Sequence, residues 1–282
     1  MKNLAYYNGR YDLMENMQIP MGDRVCWFGD GVYDAGPVRN YRIFAIDEHI
    51  DRLYRSADAV GIRIPKTKEE PKELLQELVN KMDTPDNFLY VQVTRGTAYP
   101  RSHEFTSDEP GNLWVTIKHL DMNPGLEPVK LITYEDKRWF YNDIKTLNLL
   151  PAVLSATAAA RAGAAEAVFY RSADEVTECS HSNISVLKDG VLYSHPNDDK
   201  ILPGIAKKYM FAACKALGIP VREEIFGIEF LMNADEIIKT SSGNICIRVS
   251  EIDGRPAGMK DPENYERIRR QIFEDYYKAT ED

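Results

Sequence analysis

The chain has 282 residues, of which 44% are hydrophobic and 28% charged, and its net charge is −9. That length suits two modest domains better than one core, and the composition is that of a soluble globular protein. The acidic balance argues against a nucleic-acid or anionic-membrane partner, and no stretch approaches the ~18 apolar residues of a membrane span.

The opening residues, MKNLAYYNGRYDL, contain no apolar core of signal-peptide length. Cys26, Cys179, Cys214 and Cys246 lie far apart, in neither metal-ligand spacing nor a short disulfide framework. His49, His103, His119, His181 and His195 are equally dispersed. The expectation is a cytoplasmic protein without a metal site.

Residues 4–12 alternate around Asn8-Gly9, a hairpin turn signal between two strands. In 25–37, Gly29, Gly31 and Gly36 permit sharp backbone turns, and Tyr33 follows the first two. Residues 43–62 read as a strand feeding a helix. Asp47 is placed to cap it, Ile50, Leu53, Tyr54 and Ala57 share a face, and Gly61 follows the end. Arg52 sits four residues after Glu48, the spacing of a surface ion pair. A second helix covers 71–82, opened by Pro71.

Residues 88–95 alternate as a strand, break at Gly96 and run extended past Pro100. Arg101 and His103, two apart, share one face of that extended run and suit a carboxylate. After a strand at 113–121, NPGLEP (123–128) is the strongest linker signal. The expected domains are 1–122, a small N-terminal α/β domain, and 123–282, a larger C-terminal one.

The second half opens with a strand at 129–136 and delivers the chain to Lys145. Trp139, Phe140 and Tyr141 precede this lysine, and Thr146-Leu147-Asn148 follow it. Lysines are ordinarily solvated. One withdrawn from water by apolar neighbours loses its preference for the charged form and becomes a usable nucleophile and base. A helix at 148–163 is expected to pack closely through its alanines. Glu178 begins a stretch containing a strand pair turned at Asp189-Gly190, and a poorly solvated carboxylate there needs a partner. The helix from Ile205 offers unpaired amides at Ile205 and Ala206, an anion site. Thr240-Ser241-Ser242-Gly243 ends a strand with hydroxyls suited to a phosphate. A capped amphipathic helix closes the chain.

A lysine, an anion cradle and a carboxylate are what pyridoxal 5′-phosphate requires. The order of these pieces resembles the fold-type IV pyridoxal-phosphate enzymes, nearest to the bacterial D-amino-acid aminotransferases. The resemblance runs over nearly the whole chain. It is carried by FGDGVY (28–33), DEHIDRLY (47–54), QVTRGT with PRSH (92–103), DIKTLNLL (143–150), VTE and SN (176–183), ILPGI (201–205) and EIDG (251–254).

The resemblance implies an α+β fold of two α/β domains with the active site at their interface. It implies a Schiff base on Lys145, with Glu178 bonding the pyridine nitrogen. Arg52, the amides of Ile205 and Ala206, and Ser241 and Ser242 would hold the phosphate. Tyr33, Arg101 and His103 would trap the substrate α-carboxylate, with the Arg-x-His loop reaching in from a second subunit of a homodimer. Arg138 falls at a family arginine position without an assigned role. The implied activity moves an amino group between a D-amino acid, such as D-alanine, and a 2-oxo acid, such as 2-oxoglutarate.

Three departures stand out. Ala206 replaces a phosphate-binding threonine, His181 a small hydroxyl residue near Glu178, and DAGPVRN (34–40) a usually apolar strand. Arg39 in that strand is expected to add a charge near the pocket. A branched-chain L-amino-acid aminotransferase would share Lys145, Glu178 and Arg52 without needing the Arg101-x-His103 pair. An aminodeoxychorismate lyase, and a non-catalytic cofactor-binding protein, are further alternatives.

Overall fold

Asn8 and Gly9, with φ of 43° and 95°, turn strand β1 (Asn3–Tyr7) into β2 (Arg10–Leu13), because both residue types tolerate positive φ. The structure, a computed structural model, describes residues 2–64, 66–105, 110–120 and 127–281. The first four residues of the expected linker, 123–126, lie outside those described. Two compact units emerge. One comprises Met1–Met122, Ile144–Asn148 and Lys278–Asp282, the other Asn123–Asp143 and Leu149–Tyr277. The segment carrying Lys145, expected with 123–282, thus clusters with the first unit.

In the first unit, β1 and β2 are followed by helix α1 (Arg24–Phe28), β3 (Gly31–Arg39), β4 (Arg42–Ile43), α2 (Ile46–Ala59), α3 (Glu69–Val79), β5 (Asn87–Thr94) and β6 (Leu113–His119). The strands form an antiparallel sheet in the order β2-β1-β6-β5-β3-β4. Strand parity sends Val32 and Val38 of β3 into one core with Ile50, Leu53 and Ala57 of α2. Each buried valine, leucine or isoleucine among them contributes about 1.5–3 kcal/mol. The cap of α2 differs from expectation. Ala45 occupies it at φ 51°, and Asp47 is the second helical residue, paired with Lys72. An acid in the first turn still complements the helix dipole.

The second unit runs β7 (Val129–Glu135), α4 (Leu150–Arg161), β8 (Glu166–Ser172), β9 (Glu175–Cys179), β10 (Asn183–Lys188), β11 (Val191–Ser194), α5 (Ile205–Ala216), β12 (Val221–Glu223), α6 (Ile228–Met232), β13 (Glu236–Ser241), β14 (Ile245–Ile252), β15 (Arg255–Pro256) and α7 (Pro262–Ala279). Its nine-stranded sheet has the order β12-β11-β10-β13-β14-β7-β8-β9, with β15 on β14. Pairs β11/β12, β14/β7 and β7/β8 are parallel and the others antiparallel. The α+β class follows. Helix α4 does not bury itself through its alanines as expected. Ser155 and Ala159 are its buried residues, and Leu150, Val153 and Leu154 face outward. No described helix is long and apolar enough to cross a membrane.

Candidate active site

Residues 144–148 lie beside the start of β3. Lys145 O accepts from the Tyr33 amide at 3.0 Å, Gly31 O accepts from the Leu147 amide at 3.0 Å, and Val32 bridges Thr146. Lys145 N–H donates to Ser56 Oγ on α2 at 3.2 Å. The lysine backbone is therefore held on both sides. Its side chain is half-buried, with Nζ 4.2 Å from the centre of the Tyr33 ring. Tyr33 stacks in turn on Tyr90, which donates to Gln92 Oε1 at 2.7 Å. The sequence points to Trp139, Phe140 or Tyr141 for the sheltering ring. Those three are exposed, and the ring against Nζ comes from β3.

The opposite parity of β3 carries Asp34, which is fully buried. Arg52, expected in a surface pair with Glu48, is buried as well. It donates to Asp34 through Nε and Nη2, each at 2.8 Å, in the bidentate form that charge-assisted pairs favour. His49 Nδ1 meets the same carboxylate at 2.6 Å. Burial opposes the charge on Asp34, but Arg52 and His49 outweigh it and hold the carboxyl well below its usual range. Arg39 does not turn toward Tyr33. Its Nη1 donates to Thr280 Oγ1 at 3.2 Å.

Arg101 and His103 are brought together on Phe28. The guanidinium lies 4.6 Å from that ring and the imidazole 5.2 Å. Arg24 fixes their loop by donating to Ser102 O at 2.7 Å and His103 O at 3.1 Å, while its Nε holds Asp30. Both residues are exposed, and neither makes a hydrogen bond or ring contact with Tyr33 or Lys145 among the described residues.

In the second unit Glu178 is 5% exposed on β9. Oε1 accepts from Arg138 Nη1 at 2.6 Å; Oε2 accepts from Asn183 Nδ2 at 2.9 Å and the Leu202 amide at 3.1 Å. Burial pushes the Glu178 carboxyl up, against the pull of the Arg138 guanidinium. Arg138 is itself held by Asp136 through Nε and Nη2, both at 3.0 Å. Three donors against about four lone-pair positions leave Oε1 able to accept one more.

Ile205 and Ala206 are the first two residues of α5, whose cap, Gly204, supplies no side-chain bond. A Cβ on Gly204 would lie 1.9 Å from Asn183 Oδ1, so glycine is required there. Asn183 thus connects the Glu178 carboxylate to the uncapped end of α5. Ser241 ends β13 and Ser242 opens the turn to β14; Thr240 Oγ1 is buried and has no hydrogen-bond partner among the described residues. His181 turns its ring outward, and its amide donates to Glu166 at 2.6 Å.

Sequence reasoning missed Ser56, Asp34 and His49, and gave Asn183 and Arg138 no role. Two signals pointed to them. Asp34 shares strand parity with Val32 and Val38, so a charge there requires a cation; His49 and Asn183 fall inside the quoted motifs. Chemically the residues offer a clamped amine over an aromatic ring, a buried carboxylate with one accepting position, and uncapped helix amides fit for an anion.

The sequence matches the family model described as Amino-transferase class IV over residues 31–252. It is 41% identical over 244 residues to a D-alanine aminotransferase of Listeria monocytogenes serotype 4b, covering 85% of this chain and 84% of that protein. It is 36% identical over 281 residues to a D-alanine aminotransferase of Staphylococcus aureus, covering 98% and 97%. The fold is similar to that of the branched-chain amino acid aminotransferase from Escherichia coli. The TM-score is 0.89 at 20% identity, covering 100% and 97% of the two chains, a likeness of fold alone.

Proposed function

The chain belongs to amino-transferase class IV, and from that premise we propose a D-amino-acid transaminase that moves an amino group between a D-amino acid, such as D-alanine, and a 2-oxo acid, such as 2-oxoglutarate. The observation that carries this reading is the likeness to D-alanine aminotransferases over nearly the whole chain. Membership of the class makes the protein a pyridoxal-phosphate-dependent enzyme. The residues present fit that group. Glu178 keeps an accepting position, and the amides of Ile205 and Ala206 lack a side-chain cap.

Bound, the cofactor supplies a carbonyl that takes amines covalently and a ring that withdraws electrons from the substrate Cα. Lys145 Nζ holds the cofactor and takes the proton from Cα of the amino acid. Glu178 holds a proton on the pyridine nitrogen. Arg52, the Ile205 and Ala206 amides, Ser241 and Ser242 bind the phosphate. With Ala206 in place of threonine, that position contributes its backbone alone. Tyr33, Arg101 and His103 bind the α-carboxylate. Fixing that group fixes which face of Cα meets Lys145, and so the handedness of the substrate.

Arg101 and His103 serve a partner copy in a homodimer. Their exposure on the Arg24-tied loop, and the outward Leu150, Val153 and Leu154 of α4, support this reading. The free thiols of Cys26, Cys179, Cys214 and Cys246 suit a reducing cytoplasm.

The test is stereochemical. Holoprotein with 2-oxoglutarate is expected to turn over D-alanine and leave L-leucine untouched. Turnover of L-leucine alone would overturn the D-specific reading.

A further inference from the structure

We propose that Asp34 and His49 are positioning residues that set the guanidinium of Arg52 for the cofactor phosphate, with Gly36 providing the space His49 needs; this rests on the reading of Arg52 as a phosphate ligand. An isolated carboxylate on the core side of a sheet is strongly disfavoured. Asp34 is buried there, yet every contact it makes is directed. Oδ2 takes Arg52 Nε at 2.8 Å, and Oδ1 takes Arg52 Nη2 at 2.8 Å, His49 Nδ1 at 2.6 Å and the Ala35 amide at 2.8 Å. The two basic residues lie three apart on α2, one above the other on the face toward β3.

A fork held along its Nε–Nη2 edge cannot rotate, so the plane of the guanidinium is set before any ligand arrives. An arginine side chain otherwise has many rotamers to lose on binding. Ordering it in advance removes that cost from phosphate recognition. His49 secures the carboxylate from a second direction, and Gly36, two residues beyond Asp34, faces it. A Cβ on Gly36 would stand 2.6 Å from His49 Nε2. The departures in DAGPVRN acquire a purpose: Asp34 grips the arginine and Gly36 admits the imidazole.

The competing role for Asp34 is neutralisation alone. Removing it would then free positive charge and tighten phosphate binding. Orientation predicts the reverse.

The experiment titrates full-length apoprotein with pyridoxal 5′-phosphate and, separately, with pyridoxal, following protein fluorescence. Asp34→Asn and His49→Gln are expected to raise the Kd for pyridoxal 5′-phosphate roughly tenfold or more, as loss of supporting hydrogen bonds does elsewhere, and to leave the Kd for pyridoxal unchanged. Should Asp34→Asn fail to fold, His49→Gln carries the test, because it retains the ion pair. Equal loss toward both ligands, no loss, or tighter binding of the phosphorylated one would overturn the proposal. Arg52→Gln tests the reading beneath. If it keeps the wild-type preference for the phosphorylated ligand, Arg52 is not the phosphate residue. If it loses that preference while Asp34→Asn and His49→Gln keep it, the positioning proposal alone falls.

Discussion

Arg138 donates through Nη1 to Oε1 of Glu178 at 2.6 Å, and its other edge is locked on Asp136. The guanidinium lies 4.4 Å from the Phe169 ring, and Nη2 also reaches Lys200 O at 3.2 Å. Arg138 is thus the cation that offsets the burial of Glu178. Arg138→Ala is expected to cost about 3 kcal/mol of stability, by leaving a buried carboxylate unpaired. It should lower kcat roughly tenfold to a hundredfold. Arg138→Lys should fall between, since an ammonium cannot bridge two carboxylates as a fork does. Thermal unfolding and steady-state kinetics on the three proteins check this, and an unchanged kcat in Arg138→Ala would remove Arg138 from the account.

Asn183 and Gly204 interlock. Nδ2 of Asn183 holds Glu178, and its Oδ1 occupies the space a Gly204 side chain would need. Gly204→Ala should destabilise the protein by about 1–3 kcal/mol, the usual cost of overpacking, and weaken cofactor retention. Dialysis against cofactor-free buffer, followed by absorbance, reads the second effect. Full retention with native stability would show that the contact is slack.

Arg101→Ala should raise KM for α-carboxylate substrates and leave cofactor content unchanged. A hydrogen bond to a charged group contributes about 1.5–3 kcal/mol, so the rise should be roughly tenfold to a hundredfold. An unaltered KM would detach the Arg101–His103 loop from substrate binding.

Lys207, the third residue of α5, is buried. Nζ donates to His195 O at 2.7 Å and Asn197 Oδ1 at 3.1 Å. Burial brings its pKa down from 10.5 to about 8. Between those values the unfolded chain holds a proton that the folded chain has lost, so stability rises with pH. Wild type should gain roughly 3 kcal/mol on Lys207→Met between about pH 7.5 and about pH 10.5. Denaturant unfolding at the two pH values measures it; a difference that stays constant, or shrinks, would mean that Lys207 is charged throughout.

What could be read in advance was local. Asn8-Gly9, Asp189-Gly190 and Gly218 turn or stop the chain wherever they occur, because their own φ requirements decide it. The family motifs around Lys145 and Glu178 are contiguous strings. The surroundings of Arg52 were not legible. Its spacing from Glu48 suggests a surface pair, and only the packing of α2 on β3 turns it to Asp34. The sequence neighbours of Lys145 are the obvious source of a ring over its amine, whereas antiparallel pairing brings Tyr33 from β3. The outward face of α4 is hidden by an alanine-rich composition that reads as buried. In each case tertiary pairing decided what local pattern could not.

The central claim is that Lys145 is the lysine that holds the cofactor. Borohydride reduction of the holoprotein, followed by peptide mass mapping, tests it directly, with Lys207 as the natural rival because burial draws its amine toward neutrality. The account predicts the phosphopyridoxyl mass on the peptide containing Lys145, and its absence in Lys145→Ala together with loss of turnover. The same mass on Lys207, or on any peptide of the Lys145→Ala protein, would contradict it.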